Sequence, residues 1–295
     1  MKQRIHYLKN ITVPEGNGIP SAASAKENGA APEAASSAKN EAITEATSAS
    51  GNGSYHVCPG TLYVAKPDAD LKALSESSIP FVVYVDTLTY SGSTFFDCAK
   101  YVLEGEGEFD PDDFDPEELE KIYRRLKKIP WDILETDRCV IKETSLSDLD
   151  EFYGIYADPD ITRFTEDLME RSEEEKYTEN YRDLIYEIYG HGIWTVMKKD
   201  TGEIIGRAGL DERAGFDTPE LGFVIGKKWQ KQGFAYEVCS AILAWAAEND
   251  IPEIMSLTET DNEAASGLLE KLGFSARDTV TIGTSELVRF IFPVK

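Results

Sequence analysis

The stretch that decides the fold is ELGFVIGKKWQKQGFAYEV, residues 220–238. It opens with an apolar strand pattern, continues through a polar loop and ends in the start of an apolar-periodic helix. Gly233 and Ala235 are small enough for a bulky anion to approach the backbone closely. The first turn of the helix directs unpaired N–H groups and the positive end of its dipole to the same point. The stretch therefore predicts an anion-binding turn that suits a pyrophosphate.

The overall charge of the chain is strongly acidic. Its 295 residues include 54 Asp and Glu against 30 Lys and Arg, a formal net charge of −24. Such a field repels nucleic acid and anionic membranes, and it attracts cationic substrates such as amines. A surface that is acidic for solubility alone is an equally good explanation. We expect neither a nucleic-acid nor a membrane partner, and an anionic cofactor would have to bind local N–H groups.

The cysteines and histidines are too scattered for a metal site. Four cysteines and three histidines stand far apart, with no C-x-x-C spacing, which argues against a zinc site or a disulfide framework. No apolar segment follows the first residues, and no uninterrupted apolar run reaches about 18 residues. We expect a cytoplasmic protein without a metal ion, and the pattern predicts no particular oligomeric state.

Composition divides the chain into two predicted domains, 1–134 and 135–295. Residues 12–54 are rich in Ala, Ser, Gly and Asn, which predicts a disordered low-complexity segment, with a helix in its Ala/Glu part as the alternative. The rest of the first domain alternates strands and helices, which predicts a small accessory α/β module with a short parallel sheet. Its predicted strands are 4–8, 61–65, 80–85 and 100–103, and its predicted helices are 68–76 and 116–128.

The second domain has the predicted element order β-α-α-β-β-β-α-β-α-β-β. Its second helix, 173–189, carries an apolar stripe at helical spacing. We interpret most of this stripe as core or as the wall of a groove, with an aromatic acceptor pocket as the alternative. The stripe consists of Tyr177, Tyr181, Leu184, Ile185 and Ile188.

Two segments of this domain carry a family resemblance. The first is the 220–238 stretch, and the second is DNEAASGLLEKLGF at 261–274. In order and spacing they resemble the GNAT superfamily of acetyl-CoA-dependent N-acetyltransferases, and within it the RimJ/RimL-like branch. The resemblance implies an α/β (α+β) fold with a mixed, mostly antiparallel central sheet flanked by helices. It also implies acetyl-CoA as co-substrate and a primary amine as acceptor, either a protein N-terminus or a small cationic amine.

The resemblance also implies the residues that bind acetyl-CoA. The N–H groups that cradle the pyrophosphate would come from Gln230, Lys231, Gln232, Gly233, Phe234 and Ala235. The backbone of Phe223, Val224 and Ile225 would pair with the pantetheine arm. Asn262 would bond the pantetheine, and Ser266 would lie near the thioester sulfur.

The implied reaction is direct attack of a neutral amine on the thioester. Glu220 is the candidate general base, with a structural strand-end Glu as the alternative. Many members of the family place a tyrosine as general acid where this chain has Leu269. Ser266 is the candidate donor to the leaving thiolate, with a packing role as its alternative. The missing tyrosine keeps a second function open, a catalytically silent acyl-CoA-binding sensor or scaffold.

Asp86 follows an apolar strand in the first domain. The segment DTLT, 86–89, faintly resembles the aspartate loop of haloacid-dehalogenase-type phosphatases. That family needs a second Asp two residues on, where this chain has Leu88. We therefore expect an ordering, docking or partner-contact role for the module rather than catalysis.

Overall fold

The computed structural model describes residues 4–7, 53–57, 60–92 and 96–294. The segment predicted to be disordered, 12–54, lies outside the described residues up to position 52, and a strand begins at Gly53. The described chain divides into two compact units, one ending at Ile129 and the other starting at Pro130. The predicted boundary at 134/135 therefore moves to 129/130, because Asp132–Glu135 forms a strand that pairs with Cys139–Lys142 of the second unit.

The first unit is built on a five-stranded mixed sheet. Its strands are β1 (Arg4–Tyr7), β2 (Gly53–Val57), β3 (Gly60–Ala65), β4 (Phe81–Asp86) and β5 (Tyr101–Gly105). The strand order is β1-β5-β4-β3-β2. The predicted parallel pairing is correct for β3, β4 and β5, whereas the edge strands β1 and β2 pair antiparallel.

Both faces of this sheet are covered. The helices of the unit are α1 (Leu71–Glu76) and α2 (Pro116–Leu126). Val82 and Tyr84 of β4 pack with Leu119 and Ile122 of α2 in one apolar cluster. The alternate residues of β4 pack with α1 in a second cluster. Because successive strand residues point to opposite faces, each helix covers one face.

The second unit is built on an eight-stranded sheet. Its strands are β6 (Asp132–Glu135), β7 (Cys139–Lys142), β8 (Ile193–Lys198), β9 (Ile204–Asp211), β10 (Glu220–Ile225), β11 (Glu253–Glu259), β12 (Ser275–Ile282) and β13 (Ser285–Pro293). Its helices are α3 (Leu149–Tyr156), α4 (Pro159–Thr162), α5 (Arg171–Tyr181), α6 (Glu187–Tyr189), α7 (Phe234–Glu248) and α8 (Glu263–Leu272).

The sheet order is β12-β13-β11-β10-β9-β8-β7-β6. Its described neighbours pair antiparallel except β10 and β11, which are parallel. The predicted fold class, a mixed and mostly antiparallel sheet flanked by helices, is confirmed. Relative to the predicted element order, the structure adds β6 at the edge and the short helix α4.

The predicted helix 173–189 is interrupted. Arg182–Tyr186 forms a π-helical turn between α5 and α6. A π turn holds more residues than an α turn and therefore shifts the stripe around the helix. Tyr181 and Ile185 are buried as predicted, whereas Ile188 is 46% exposed. Ile188 follows the shift and lies outside the core.

Candidate cofactor and acceptor site

The two parallel strands β10 and β11 separate soon after they meet. Their described pairing consists of Glu220 with Met255, supported by a bond from Met255 N–H to Pro219 O at 3.0 Å. Beyond this point β10 pairs with β9 alone, through Ile225 opposite Gly206. The sheet therefore opens on one side of β10 from Leu221 onward.

Side-chain bonds replace the ladder where it ends. Ser256 Oγ donates to Leu221 O at 2.9 Å, the carbonyl that a regular ladder would offer to β11. Gly226 N–H bonds Ile205 O on β9, so alternation turns the N–H and C=O of Phe223 away from β9 and into the opening. Phe223 thus lies where the pantetheine arm is predicted to pair. The same alternation turns the N–H and C=O of Val224 towards Arg207 of β9, so the predicted pairing of the Val224 backbone with the pantetheine is wrong.

The loop after β10 is held in an unusual conformation. Lys231 has φ 59° and Gly233 has φ 84°, in the left-handed region that non-glycine residues seldom adopt. The side chain of Gln230 donates to Ile225 O at 2.9 Å and that of Gln232 donates to Lys228 O at 2.8 Å. These two glutamines brace the loop with their side chains. The N–H of Gln230 also bonds Lys227 O at 3.3 Å, so the predicted place of Gln230 in the cradle is wrong, and of the two glutamines only Gln232 keeps its backbone N–H for an anion.

Helix α7 begins without a side-chain cap. Gly233 occupies the N-cap position, and the first intrahelical bond described there runs from Glu237 N–H to Gly233 O at 3.0 Å. The N–H groups of Phe234, Ala235 and Tyr236 therefore have no carbonyl one turn earlier in the helix. The Phe234 ring is buried, so this residue offers its backbone alone. The loop and this turn together form a cradle of N–H donors.

Arg138 braces this cradle from the β6–β7 turn, and the sequence analysis missed it. Its Nε and Nη2 each lie 2.6 Å from Glu237 Oε2, and its Nη1 donates to Gln232 O at 3.1 Å. The guanidinium lies 4.1 Å from the centre of the Phe234 ring. Glu237 also accepts from Thr136 Oγ1 at 2.6 Å. Nothing near position 138 in the sequence signals this role, because its partners lie about a hundred residues away.

Replacing Arg138 by alanine is expected to weaken acetyl-CoA binding about tenfold. A charge-assisted hydrogen bond contributes about 1.5–3 kcal/mol, and about 1.4 kcal/mol corresponds to a factor of ten. The loss acts through a loop that is no longer held in its binding conformation. Calorimetric titration measures the affinity, with Arg277→Ala, an exposed arginine on β12, as the matched control. Equal affinity of the Arg138 and Arg277 variants would contradict the bracing role.

Helix α8 borders β11. Asn262 caps it, with Oδ1 accepting from Ala265 N–H at 3.1 Å, so its amide nitrogen remains the group able to bond a ligand. Ser266 lies one turn on and hence on the same face, and it is partly exposed. Leu269 is fully buried in the core of the unit. A leucine side chain cannot donate a proton, so this position does not supply the general acid that the tyrosine provides in the resembling family.

Glu220 lies at the point where β10 and β11 part. Its carboxylate accepts from Arg213 Nε and from the N–H of Leu257. Burial raises the pKa of Glu220 above its ordinary value, whereas Arg213 and the Leu257 N–H act in the opposite direction without cancelling it. The side chain is 12% exposed. A buried carboxylate with a raised pKa is suited to accept a proton.

An aromatic and acidic wall lies beside Glu220 on the same sheet face. Asp211, opposite Glu220 in the β9–β10 register, accepts from Tyr181 Oη at 2.6 Å. Tyr181 Oη in turn accepts from Ile193 N–H at 2.9 Å. The ring of Tyr177 lies next to that of Tyr181, tilted by 42° with ring centres 5.7 Å apart, and it remains partly exposed. Tyr181 therefore belongs to the core and Tyr177 to the edge of the wall.

Asp86, in the first unit, has a structural role. Asp86 Oδ1 accepts from the N–H groups of Leu88 and Gly107, and its Oδ2 accepts from Thr89 Oγ1. These bonds lower the pKa of Asp86, with Thr89 as the largest cause. The carboxylate thus fastens the turn after β4.

Two features are absent from the described part of the chain. No group of three or more His, Cys, Asp or Glu side chains there is arranged to hold a metal ion. None of the described helices is long and apolar enough to cross a membrane.

Part of the chain is similar to known proteins. Residues 138–275 match the family model of an acetyltransferase (GNAT) domain. The uncharacterized N-acetyltransferase YoaA of Bacillus subtilis is 28% identical over 146 residues, which cover 48% of this chain and 82% of YoaA. The uncharacterized N-acetyltransferase YjdG of the same organism is 32% identical over 90 residues, 29% of this chain and 52% of YjdG. Among solved structures, an acetyltransferase from Agrobacterium tumefaciens has a TM-score of 0.48 at 20% identity, covering 54% of this chain and 92% of its own.

Proposed function

We propose that this chain, whose residues 138–275 carry a GNAT acetyltransferase domain, transfers the acetyl group of acetyl-CoA to a primary amine. We also propose that the chain belongs to the RimJ/RimL-like branch. We further propose that it works in a reducing cytoplasm, which is in keeping with the free thiols of Cys98, Cys139 and Cys239. The single observation that carries it is the opening between β10 and β11, which ends at an uncapped helix N-terminus.

The proposed donor fits this opening along its length. The cradle of N–H groups at Lys231–Tyr236 would accept the pyrophosphate, where each charge-assisted bond contributes about 1.5–3 kcal/mol. The backbone of Phe223 and Ile225 would pair with the pantetheine amides as an added strand does at a sheet edge. Ile225 can offer its N–H alone, because its carbonyl already accepts from Gln230.

Glu220 would serve as the general base. Only the neutral amine attacks, and an α-amine of pKa about 8 is roughly one-tenth neutral at pH 7. A carboxylate at the point where the strands part can accept the proton of the amine, directly or through a water. Its raised pKa makes it a better base than an exposed carboxylate, and positioned general bases contribute about 10²–10⁴-fold in rate.

Arg213 should set the pH at which Glu220 becomes active. The guanidinium stabilises the carboxylate, so Arg213→Ala should raise the pKa of Glu220 further. Activity falls as pH drops through this pKa, because the protonated acid cannot accept a proton, and the acidic limb of the rate profile should therefore move to higher pH. The measurement is kcat/KM against pH for the variant and wild type. If the acidic limb stays at the same pH in the variant, the group that titrates there is not Glu220.

The leaving thiolate has limited assistance. Leu269 is buried and cannot donate a proton, which leaves the Ser266 hydroxyl as the proposed donor. A thiol has a pKa of about 8.5 and can leave without an acid. The proposal is therefore compatible with the missing tyrosine.

A second candidate function is a catalytically silent acyl-CoA-binding sensor or scaffold. The observations that favour it are the buried Leu269 and the ion pair that occupies Glu220. The cradle of N–H groups would serve binding and catalysis equally well, so the cradle does not separate the two functions.

Release of free thiol from acetyl-CoA distinguishes the two candidates. The full chain would be incubated with acetyl-CoA and a panel of amino acids, polyamines and peptides with free N-termini. Thiol release that equals N-acetylated product for at least one acceptor supports the transferase. Saturable acetyl-CoA binding without thiol release for any acceptor supports the sensor.

A further inference from the structure

Arg207 lies at the centre of the sheet of the second unit, on the face that carries Glu220. It is on β9, paired with Val224 of β10. Glu220 and Asp211 pair with each other in the same register. Glu220 is an even number of residues from Val224 on β10, and Asp211 is an even number of residues from Arg207 on β9. Alternation therefore puts all four side chains on one face. The guanidinium is thus one strand away from the opening where the acetyl donor is proposed to bind.

This guanidinium has no carboxylate bonded to it. Its Nε donates to the Tyr156 hydroxyl at 2.7 Å, and it lies 4.8 Å from the Tyr156 ring and 5.6 Å from the Phe152 ring. No ion pair with any described residue accompanies these contacts. Burial acts against its charge, but Tyr156 and Glu174 outweigh burial and keep the pKa of Arg207 above its ordinary value. It therefore stays a cation, with its two terminal amino groups unbonded in the described structure.

The nearby acids are engaged elsewhere. Asp211 accepts from Tyr181, Glu220 is paired with Arg213 and Glu174 accepts from Met169 N–H at 3.2 Å. Glu174 supports the charge of Arg207 through space without a hydrogen bond to it. A buried cation is stable when an anion pairs with it, and none of these acids fills that place.

The hydroxyl of Tyr177, on α5, lies within electrostatic range of Arg207. Burial, the largest cause, and Asp211 raise the pKa of Tyr177 to about 12, against the opposing effect of Arg207. Tyr177 is therefore protonated at neutral pH and can donate a hydrogen bond. Its hydroxyl makes no hydrogen bond to another described residue. Arg207 and Tyr177 together resemble the donor sets that bind carboxylates.

Two glycines lie between Arg207 and Glu220 on this face. Gly209 and Gly222 face each other across β9 and β10. A Cβ at Gly222 would come within 3.2 Å of Ile193 Cδ1, and one at Gly209 within 1.9 Å of Gly192 O. Larger residues at these two positions would therefore collide with the start of β8.

We propose that Arg207 and Tyr177 form a carboxylate subsite and that the acceptor is a small amine bearing its own carboxylate, an amino acid. This inference rests on the proposed acetyl transfer and narrows its acceptor. The acceptor carboxylate binds Arg207 and Tyr177, and its amine reaches towards Glu220. The attacking nitrogen forms the amide bond as the thioester C–S bond breaks, its proton passes to Glu220 and the sulfur leaves as the thiolate of CoA. A peptide N-terminus and a polyamine both lack the matching carboxylate.

Matched pairs of acceptors test the subsite. Each proteinogenic L-amino acid with a primary amine is compared with its own carboxamide, with short peptides and with spermidine, by thiol release from acetyl-CoA. The best acceptor is expected to be an amino acid whose kcat/KM exceeds that of its amide at least tenfold. Without the subsite the carboxamide would be the better acceptor, because its amine has the lower pKa and a larger fraction of it is neutral at pH 7.

Three variants separate recognition from folding. Arg207→Gln should reduce the acid-to-amide ratio to about one while leaving the KM for acetyl-CoA unchanged. Arg207→Lys should retain part of the ratio because it keeps the charge. Tyr177→Phe removes a single oxygen from a partly exposed side chain, so this variant should fold. It tests the same subsite if the Arg207 variants do not fold. It should lower kcat/KM severalfold for acids and not for amides.

The contradicting outcomes are distinct. If wild type acetylates amides, peptides or spermidine as well as acids, or if the variants lower acid and amide rates equally, the carboxylate subsite is wrong while acetyl transfer stands. If no acceptor yields thiol although acetyl-CoA binds, the proposed function fails and this inference with it.

Discussion

Gly233→Val is expected to abolish measurable acetyl-CoA binding, with at least about a hundredfold loss of affinity. Gly233 has φ 84°, a conformation that β-branched residues adopt only with strain of about 1–3 kcal/mol. The valine either carries that strain or moves the loop, and its methyl groups stand where the pyrophosphate must approach. Losing two charge-assisted bonds at about 1.5–3 kcal/mol each exceeds the roughly 2.8 kcal/mol that a hundredfold loss requires.

The valine at position 233 would not collide with its neighbours, so the expected loss of binding does not come from disruption of the fold. An added Cβ would meet Arg138 Nη2 at 3.5 Å, an ordinary contact, so the unit should fold. Gly283→Val is the matched control, since Gly283 also has positive φ, 60°, in the turn between β12 and β13 with nothing within 4 Å of an added Cβ. The control should lose similar stability in a thermal melt and retain acetyl-CoA binding. Wild-type affinity in the Gly233 variant would refute the assignment of the loop.

Glu220→Gln is expected to lower the rate of acetyl transfer by about 10²–10⁴-fold at neutral pH and to leave acetyl-CoA binding unchanged. The amide has nearly the same shape and can still bond Arg213 or Leu257, but it cannot accept a proton. Glu220→Gln should also remove the acidic limb of the pH–rate profile. That limb should lie above the ordinary carboxyl range, because burial raises the pKa of Glu220, and activity rises with pH as the carboxylate forms.

Initial rates of thiol release and calorimetric affinity for acetyl-CoA check this expectation together. Glu286→Gln, an exposed residue of β13, is the control for loss of one negative charge. If the Glu220 variant keeps the full rate with a true acceptor, Glu220 is structural, and the ion pair with Arg213 is its role. If affinity falls in parallel with rate, the side chain shapes the opening rather than accepting a proton.

The sequence predicts what short-range signals encode. The strand β10, the loop after it and the start of α7 follow from neighbouring residues. The parallel strands of the first unit follow from the alternation of strands and helices, whereas the mostly antiparallel sheet of the second unit is implied by the family resemblance. The second domain is predicted to start at 135 rather than 130 because β6 has four residues, too few for a clear pattern.

The sequence does not predict contacts between distant segments. Arg138 of the β6–β7 turn meets Glu237 of α7 only in the folded unit. The same is true of Arg207 on β9 and Tyr156 on α3. The end of the β10–β11 ladder depends on Ser256 bonding the carbonyl of Leu221, which no local pattern signals. The π-helical turn after α5 likewise changes which side chains face the core.

A crystal structure of the full chain with acetyl-CoA tests the central claim most directly. The claim is that the opening between β10 and β11, closed at one end by the start of α7, holds the donor. The predicted result is pyrophosphate oxygens within hydrogen-bond distance, about 2.7–3.2 Å, of the N–H groups of Gly233–Tyr236. It also includes a pantetheine amide paired with Phe223. Acetyl-CoA bound elsewhere, or a pyrophosphate that contacts only side chains, would contradict it.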